Sequence, residues 1–307
     1  MLFAAAPLIS ALDFFQNKRI IKQQQLTRGQ SNISYQVVCQ QGTYLVKFLA
    51  DVQHFPSSGL AREREYAVLN LIQPLCITPA LLAIYADQQG VLSSGDDQFE
   101  FNGVVVCDFI KEVREFVHDR DTFADLAALL AKLHTCDISK LRADDYQLFV
   151  FKKPVELLQN YWRLCEAHCS VNHRVINLDI KTCFKHLLDR ISNLVLTSDT
   201  LIHGDLNREN ILLSQTQLYF IDWEYAGIGD VYFDLASIRI EYGLTETQLQ
   251  HFISCYQLQR PHFICDRAKL DLMSLYYAGI CWLWQANDSH FESEHSRRYY
   301  QQLTLLL

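Results

Sequence analysis

The sequence lacks several features that would place the protein in a special class. No apolar run approaches the ~18 residues needed to span a bilayer, and its 307 residues contain no internal repeat, proline-rich linker or low-complexity segment. Basic residues are outnumbered, 27 against 35 acidic, and the formal charge of −8 argues against a chain-wide attraction to nucleic acid or an anionic membrane. We therefore expect a compact protein whose partners are small molecules. The acidic balance suits a cationic ligand, or serves solubility alone.

The apolar start of the chain also lacks what a signal peptide requires. MLFAAAPLISALDFF has no basic n-region and reaches Asp13 before any clear cleavage site. Ten cysteines are scattered along the chain, several inside apolar runs such as VVVCDFI, where a free thiol behaves as a small hydrophobe. We therefore expect reduced thiols and a cytoplasmic location.

One short segment concentrates possible metal ligands. CEAHCSVNH holds Cys165, His168, Cys169 and His173 within nine residues, and a helix would place the first three on one side. The spacing matches no common structural zinc motif, so both a metal site and simple packing stay open.

The periodicity of the chain changes near residue 110. Before it, ISYQVVCQ and TYLVKFLA predict two strands joined by a tight turn at 41–42, LAREREYAVLNLI predicts a helix with one buried face, and FNGVVVCDFI predicts another strand. Beyond it, FADLAALLAKLHTC and VELLQNYWRLCEAH show helical spacing. The sequence therefore predicts a strand-rich part, residues 1–110, and a mainly helical part, residues 111–307.

The stretch LIHGDLNRENILLSQTQLYFIDWEY carries the clearest chemistry. Gly204 would allow a sharp turn after the strand-like LIH, which leaves the Asp205 carboxylate on a loop where it can accept a hydroxyl proton. ILLSQTQLYFID predicts two strands around a polar turn, and this hairpin would fold Asp222 back beside Asn210. An amide oxygen and a carboxylate side by side suit Mg²⁺, which usually keeps waters and adds substrate phosphates as ligands.

HGDLNREN followed by IDWEYAG resembles the catalytic core of the aminoglycoside phosphotransferase and choline kinase superfamily, which are relatives of protein kinases. The resemblance implies an α+β, bilobal, protein-kinase-like fold, with a small antiparallel-sheet lobe that binds nucleotide and a larger helical lobe for catalysis and acceptor binding. It implies ATP and Mg²⁺ as cofactors. The roles it implies are Asp205 as catalytic base, Asn210 and Asp222 as metal ligands, and His203 and Gly204 as shapers of the loop.

The same resemblance implies a nucleotide site upstream. Lys47 in YLVKF corresponds to the phosphate-binding lysine, and Glu65 in REYAVL to its ion-pair partner, with Glu63 as the other candidate. LTRGQSNISYQV lacks the glycine-rich run of protein kinases but resembles the looser loop of the choline kinase relatives. That likeness implies phosphate contacts from Gly29, Ser31 and Asn32, although a generic hairpin turn explains these residues nearly as well.

Two further residues match the pattern in structural roles. Asp234 in IGDVYFDLASI heads an apolar run, where it is either a helix N-cap or, as in the kinase relatives, a buried brace for the catalytic loop. His134 in LAKLH matches a helix end of the family, and we expect it to be structural.

The acceptor is the part that the sequence defines least. IDWEYAG is closest to the choline/ethanolamine kinase and thiamine kinase branches, in which the acidic residue at the position of Glu224 helps to line the acceptor site. SLYYAGICWLWQAND carries aromatic residues that either hold a cation, at ~0.5 to 2 kcal/mol per contact, or form core. The candidates are Tyr276, Trp282 and Trp284, with Tyr277 between them. We therefore expect a kinase for a small cationic alcohol such as choline or ethanolamine. Thiamine kinase, aminoglycoside phosphotransferase and a catalytically silent nucleotide-binding protein remain alternatives.

Overall fold

The computed structural model describes residues 3–26, 32–50, 62–141, 146, 153–288 and 291–307. The chain forms two compact units. The first comprises Met1–Phe116 and Leu212–Glu224, and the second comprises Val117–Ile211 and Tyr225–Leu307. The change in periodicity predicted that all residues beyond 110 belong to the second part. In the structure, Leu212–Glu224 belongs to the first unit. Its backbone forms hydrogen bonds there, from Arg114 N to Leu213 O and from Phe220 N to Ile77 O.

The first unit is built on one antiparallel sheet. Its strands are β1 (Ile20–Gln25), β2 (Ile33–Cys39), β3 (Gly42–Ala50), β4 (Leu81–Ser94) and β5 (Asp97–Asp108), in the order β1-β2-β3-β5-β4. Helices α1 (Ala6–Ala11) and α2 (Arg62–Ile72) and the 3₁₀ turns Asp13–Phe15 and Gln73–Leu75 complete this segment.

The hairpin of β2 and β3 forms the centre of the sheet and of its core. Residues of β2 alternate between buried and half-buried along the strand, as expected when one face of a sheet is covered. Phe48 of β3 and Phe101 of β5 meet edge to face at 5.0 Å within that core. Cys39 pairs with Gly42, so the turn consists of residues 40 and 41 and lies one residue earlier than predicted.

The second unit is mainly helical. Its helices are α3 (Arg120–His134), α4 (Pro154–Val171), α5 (Leu178–Ile191), α6 (Val231–Tyr242), α7 (Glu246–Gln259), α8 (Arg267–Asp288) and α9 (Glu294–Leu306). Helix α6 is buried along its whole length except at Arg239, and α8 packs on α4, α5, α6 and α9. A helix buried on all sides marks the centre of a core.

Short strands frame the stretch that carries the predicted chemistry. β6 (Thr200–Ile202) pairs antiparallel with β9 (Gly227–Gly229), and β7 (Ile211–Leu213) pairs with β8 (Leu218–Phe220). The predicted hairpin of ILLSQTQLYFID is therefore confirmed. Within the described ranges, no helix is both long enough and apolar enough to cross a membrane.

Gly103 sets how closely α2 can approach β5. Its φ of 120° is rarely adopted by other residues, and a Cβ built there would overlap the hydroxyl of Tyr66 on α2. The sheet register shifts between Phe48 and Ala50 on the neighbouring strand, as at a β-bulge.

The Gly103→Ala variant should lower the free energy of unfolding by about 1–3 kcal/mol, because it combines backbone strain with overpacking. Urea unfolding measures the loss. Gly95→Ala is the matched control, since Gly95 has a φ of 63° with nothing within 4 Å of an added Cβ, and should carry the strain alone. Equal losses in the two variants would contradict a close approach of α2 at Gly103.

Candidate functional site

In the first unit, charged side chains gather around Lys47 of β3. The Nζ atom lies 2.5 Å from Oδ1 of Asp222, and the two side chains are 18% and 25% exposed. Burial lowers the pKa of Lys47, but the charges of Asp222, Glu65 and Glu224 outweigh burial and leave that pKa above its ordinary value. Glu65 on α2 is 2% exposed, whereas Glu63, the other candidate, is exposed. The direct ion pair of Lys47 is therefore with Asp222, and Glu65 acts as a second, buried counter-charge.

Asp222 is held in an unusual backbone conformation. Its φ is 65°, in the left-handed region, which Asp tolerates better than most residues. On either side, Phe220 donates its backbone N–H to Ile77, and the Trp223 indole donates to the Thr78 hydroxyl at 3.2 Å. These bonds fix the Asp222 segment against the loop before β4.

The predicted nucleotide loop is only partly described. Gly29 and Ser31 lie outside the described residues. Asn32 is 8% exposed, and its Oδ1 accepts a hydrogen bond from Ala50 N at 2.9 Å, which joins the start of β2 to the end of β3. Its Nδ2 is buried and has no partner within the described part of the chain.

In the second unit, the turn after β6 presents Asp205. Gly204 has a φ of 79°, as the predicted sharp turn requires. Asn210 donates through Nδ2 to Oδ2 of Asp205 at 2.8 Å and to its backbone oxygen at 2.9 Å. Asn207 donates to both carboxylate oxygens, at 3.2 and 3.1 Å. Two amides thus hold the Asp205 carboxylate as a hydrogen-bond acceptor.

Asn207 was not among the sequence candidates. It also caps the 3₁₀ turn Arg208–Asn210, where its Oδ1 accepts from Glu209 N and Asn210 N. The signal for it was available, because an Asn two residues after an Asp on a loop commonly bonds to its neighbours and to nearby backbone groups.

Asp234 holds the loop of Asp205 through its backbone. This carboxylate is fully buried on α6, and it accepts the backbone N–H of His203 at 2.8 Å and that of Gly204 at 3.0 Å. Asp230, not Asp234, is the N-cap of α6, through a bond from Tyr232 N. Asp234 is therefore not the N-cap of α6. Its two bonds to backbone N–H groups agree with the other alternative, a buried brace for the loop of Asp205. His203 is also fully buried, and Asp205 donates its N–H to His203 Nδ1 at 3.3 Å.

The aromatic candidates on α8 do not come together. Tyr276 and Trp282 are fully buried, the first against Phe233 and the second against Phe291, with no exposed surface for a ligand. Trp284 is 39% exposed, two residues further on and on another side of the helix. Glu224 belongs to the first unit, beside Lys47. Tyr276 and Trp282 are therefore core residues in this structure.

A buried carboxylate near Asp205, that of Glu241, was not among the residues predicted from the sequence. Glu241 on α6 is 3% exposed, and its Oε1 accepts from the hydroxyls of Tyr299 at 2.6 Å and Tyr277 at 3.3 Å. Burial raises the pKa of Tyr277 well above its usual range, and the negative charges of Glu241 and Asp205 add to the rise. The signal was a charged residue in the apolar run FDLASIRIEY, since Glu is rarely buried without partners.

Two arginines hold the backbone of Glu241. Arg208 donates through Nε at 2.6 Å and Arg298 through an Nη at 2.7 Å to the Glu241 carbonyl oxygen, and Arg298 lies 3.5 Å from the carboxylate. Arg208 belongs to the loop of Asp205. Cys281 lies in the same cluster, where burial and the charge of Glu241 raise its pKa well above the usual range.

The Cys165 to His173 segment carries packing residues. Cys165 and Cys169 are buried on α4, and Cys165 Sγ donates to the Leu283 carbonyl oxygen at 3.3 Å. Across the described ranges, no group of three or more His, Cys, Asp or Glu side chains is placed to hold a metal ion.

The family model of phosphotransferase enzymes, APH, matches residues 22–260, more than half of the chain. The chain belongs to this phosphotransferase family. The resemblance predicted from HGDLNREN and IDWEYAG is therefore confirmed.

The curated relatives that the chain resembles carry different names. Protein LicA of Haemophilus influenzae is 43% identical over 54 residues, 18% of this chain and 20% of LicA. Thiamine kinase of Salmonella paratyphi B is 45% identical over 40 residues, 13% of this chain and 15% of that enzyme. The chain thus matches a fifth or less of the length of these curated relatives.

Solved structures match the phosphotransferase-family chain over nearly its full length. Choline kinase LicA from Streptococcus pneumoniae superposes with a TM-score of 0.68 at 20% identity, covering 98% of this chain and 96% of that one. LicA in complex with AMP gives 0.67 at the same identity and coverage. The predicted protein-kinase-like α+β fold is confirmed.

Replacing Lys47 with Met in this phosphotransferase-family chain should lower the free energy of unfolding by about 1–3 kcal/mol, because it leaves three carboxylates without their shared cation. Chemical denaturation measures the change. Lys153→Met is the matched control, since Lys153 pairs with Glu156 at 2.8 Å while 58% exposed; it should cost under about 0.5 kcal/mol. If both variants lose the same small amount, Lys47 is not the centre of the cluster.

Proposed function

We propose that this protein transfers the γ-phosphoryl group of ATP, with Mg²⁺, to the hydroxyl of a small cationic molecule such as choline or ethanolamine. Membership of the phosphotransferase family supports the reaction class. One observation supports the acceptor class above all others: the buried carboxylate of Glu241, with its two tyrosines, lies in the same unit as Asp205 and close enough for both charges to act on Tyr277.

Asp205 would orient and deprotonate the acceptor hydroxyl. As the acceptor oxygen forms its bond to the γ-phosphorus, the bond to the β–γ bridging oxygen breaks and ADP leaves, while the hydroxyl proton passes to the Asp205 carboxylate. The amides of Asn207 and Asn210 keep that carboxylate oriented. Lys47 would steady the α- and β-phosphates of the nucleotide.

Asn210 in the second unit and Asp222 in the first each offer an oxygen donor of the kind that Mg²⁺ prefers. Asn210 commits its Nδ2 to Asp205, which leaves the amide oxygen as its ligand atom, and Asp222 offers a carboxylate. Both are hard oxygen donors. We propose Asn210 and Asp222 as the ligands, and the ion would neutralise charge on the β- and γ-phosphates. For Asn32 we propose a phosphate contact through Nδ2, a donor that has no partner in the described part of the chain.

The Glu241 cluster favours a cation over a neutral alcohol. Burying a carboxylate is costly unless opposite charge or hydrogen bonds compensate. The tyrosine hydroxyls of residues 277 and 299 provide hydrogen bonds but no charge, and Arg298 reaches the carboxylate only at 3.5 Å while 39% exposed. An ammonium group would add a closer opposite charge than that of Arg298, and tyrosine rings attract such groups.

Thiamine is the strongest alternative acceptor within this proposal. Its thiazolium ring is also a cation, and a thiamine kinase is among the relatives. The same buried carboxylate would serve it, so only direct comparison of acceptors separates the two.

Asp205→Asn should reduce phosphoryl transfer by about 10²–10⁴-fold, because the amide cannot take the proton. ADP release would be measured with ATP and Mg²⁺ against choline, ethanolamine, thiamine, a sugar and an aminoglycoside. Asp199→Asn is the matched control at an exposed position just before β6, and should keep turnover within about twofold.

Retention of more than a tenth of wild-type turnover by Asp205→Asn would rule out its role as base. Turnover confined to thiamine would select the thiamine alternative, and turnover confined to the aminoglycoside would select antibiotic phosphorylation. ATP binding without any product would identify a silent nucleotide-binding protein.

Glu241→Gln should abolish the preference for a charged acceptor. Choline and its neutral isostere 3,3-dimethylbutan-1-ol differ chiefly in charge, so the wild type should favour choline in kcat/KM by about tenfold or more, as expected for a desolvated charge pair. The variant should treat the two alike, with KM for ATP unchanged. Glu166→Gln, at an exposed position on α4, should keep the preference. A Glu241→Gln variant that still prefers choline would remove Glu241 from the acceptor site.

A further inference from the structure

A line of hydrogen bonds runs from a partly exposed arginine to the catalytic loop. Asp234 on α6 lies 3.1 Å from Nε2 of His134, the last residue of α3. The other ring nitrogen, Nδ1, lies 2.6 Å from the hydroxyl of Tyr256 on α7. Arg260, the C-cap of α7, donates to that hydroxyl at 2.7 Å. His134, Asp234 and Tyr256 are all buried.

The direction of each proton in this line follows from its two ends. Both oxygens of Asp234 accept backbone N–H groups, so the carboxylate is placed as an acceptor for His134 too, and Nε2 carries the hydrogen that points to it. Burial lowers the pKa of His134 more than Asp234 raises it, which favours the neutral ring. Its Nδ1 is then an acceptor, and the Tyr256 hydroxyl donates to it. The Tyr256 oxygen accepts in turn from Arg260.

Arg260 brings the one formal positive charge of the line. Its guanidinium also lies over the rings of Tyr256 and Phe263, at 5.7 and 5.9 Å from their centroids. In the described part of the chain, no carboxylate forms an ion pair with it. A cation bonded to the phenol oxygen makes the hydroxyl a stronger donor, and such polarisation passes along a chain of hydrogen bonds.

We propose that Tyr256 and Arg260 are positioning residues for phosphoryl transfer, acting through His134 and Asp234 on the backbone N–H groups of His203 and Gly204. This inference rests on the proposed function. The line fixes the ring of His134, the ring fixes the Asp234 carboxylate, and the carboxylate fixes the turn that presents Asp205. Neither proposed residue touches a reacting atom.

The test compares Tyr256→Phe with Tyr232→Phe. Both remove one buried hydroxyl and keep the ring, but the hydroxyl of Tyr232 bonds to the backbone of Ile264 and Asp266 rather than to this line. Tyr256→Phe should lower kcat by about tenfold with KM for ATP within twofold, because a small misplacement of a catalytic group acts on turnover. Tyr232→Phe should lose comparable thermal stability with kcat unchanged.

A spectroscopic readout accompanies the kinetics. In protein with ¹⁵N-labelled histidine, the Nδ1 resonance of His134, assigned by its loss in His134→Gln, should report a hydrogen-bonded acceptor nitrogen. Tyr256→Phe should shift it to the position of a nitrogen without a donor. Arg260→Gln should move it part of the way and lower kcat about threefold, and Tyr232→Phe should leave it unmoved.

The outcomes separate this inference from the proposed function. If no acceptor is phosphorylated, ADP release to water provides the turnover, and the same ranking of variants is expected. Equal kcat in Tyr256→Phe and Tyr232→Phe, or a shifted Nδ1 resonance with unchanged kcat, would contradict the positioning role. The hydrogen-bonded line would then serve the fold only. A wild type that releases no ADP under any condition would overturn the positioning role together with the proposed function.

Discussion

The turn that presents Asp205 depends on one buried carboxylate, that of Asp234. Removing such a charge from water costs several kcal/mol, so it must be surrounded by donors, and here two are peptide N–H groups of the turn at His203 and Gly204. Because each satisfies buried hydrogen-bonding groups of the other, the carboxylate and the turn stabilise each other. The side chain of Asp205 then projects from a backbone that is fixed from below.

In the first unit the group that needs compensating charge is a cation, Lys47, and its partners are carboxylates. Lys47 is the cation on which the charges of Asp222, Glu65 and Glu224 converge, and their attraction outweighs its own burial in setting its pKa. The ion pair to Asp222 holds a carboxylate whose backbone is already in the left-handed region. Functional sites often store such strain where the surroundings fix it. At Lys47 in the first unit, charge compensation therefore precedes any contribution from a ligand.

Much of this could be predicted from the sequence, because its strongest signals are local. The turn at Gly204, the hairpin before Asp222 and the alternation along β2 depend on residues close in the chain. Glu241 was missed because its partners come from α8 and α9, more than thirty residues away. The burial of Trp282 follows from packing against Phe291 and α4, which helical spacing alone does not distinguish from a ligand-binding wall.

The charges around Glu241 are the basis of the proposal that the acceptor is a cation rather than any alcohol. Burial raises the pKa of Tyr277 and of Tyr299, so both phenols stay neutral donors at physiological pH. The formal negative charges of this cluster therefore belong to Glu241 and to Asp205, and Asp205 would need its charge to serve as the proposed base. A neutral acceptor would bring two like charges deeper into low dielectric, whereas an ammonium group attracts both. The same cation would hold its own hydroxyl close to the base, which turns binding energy into orientation.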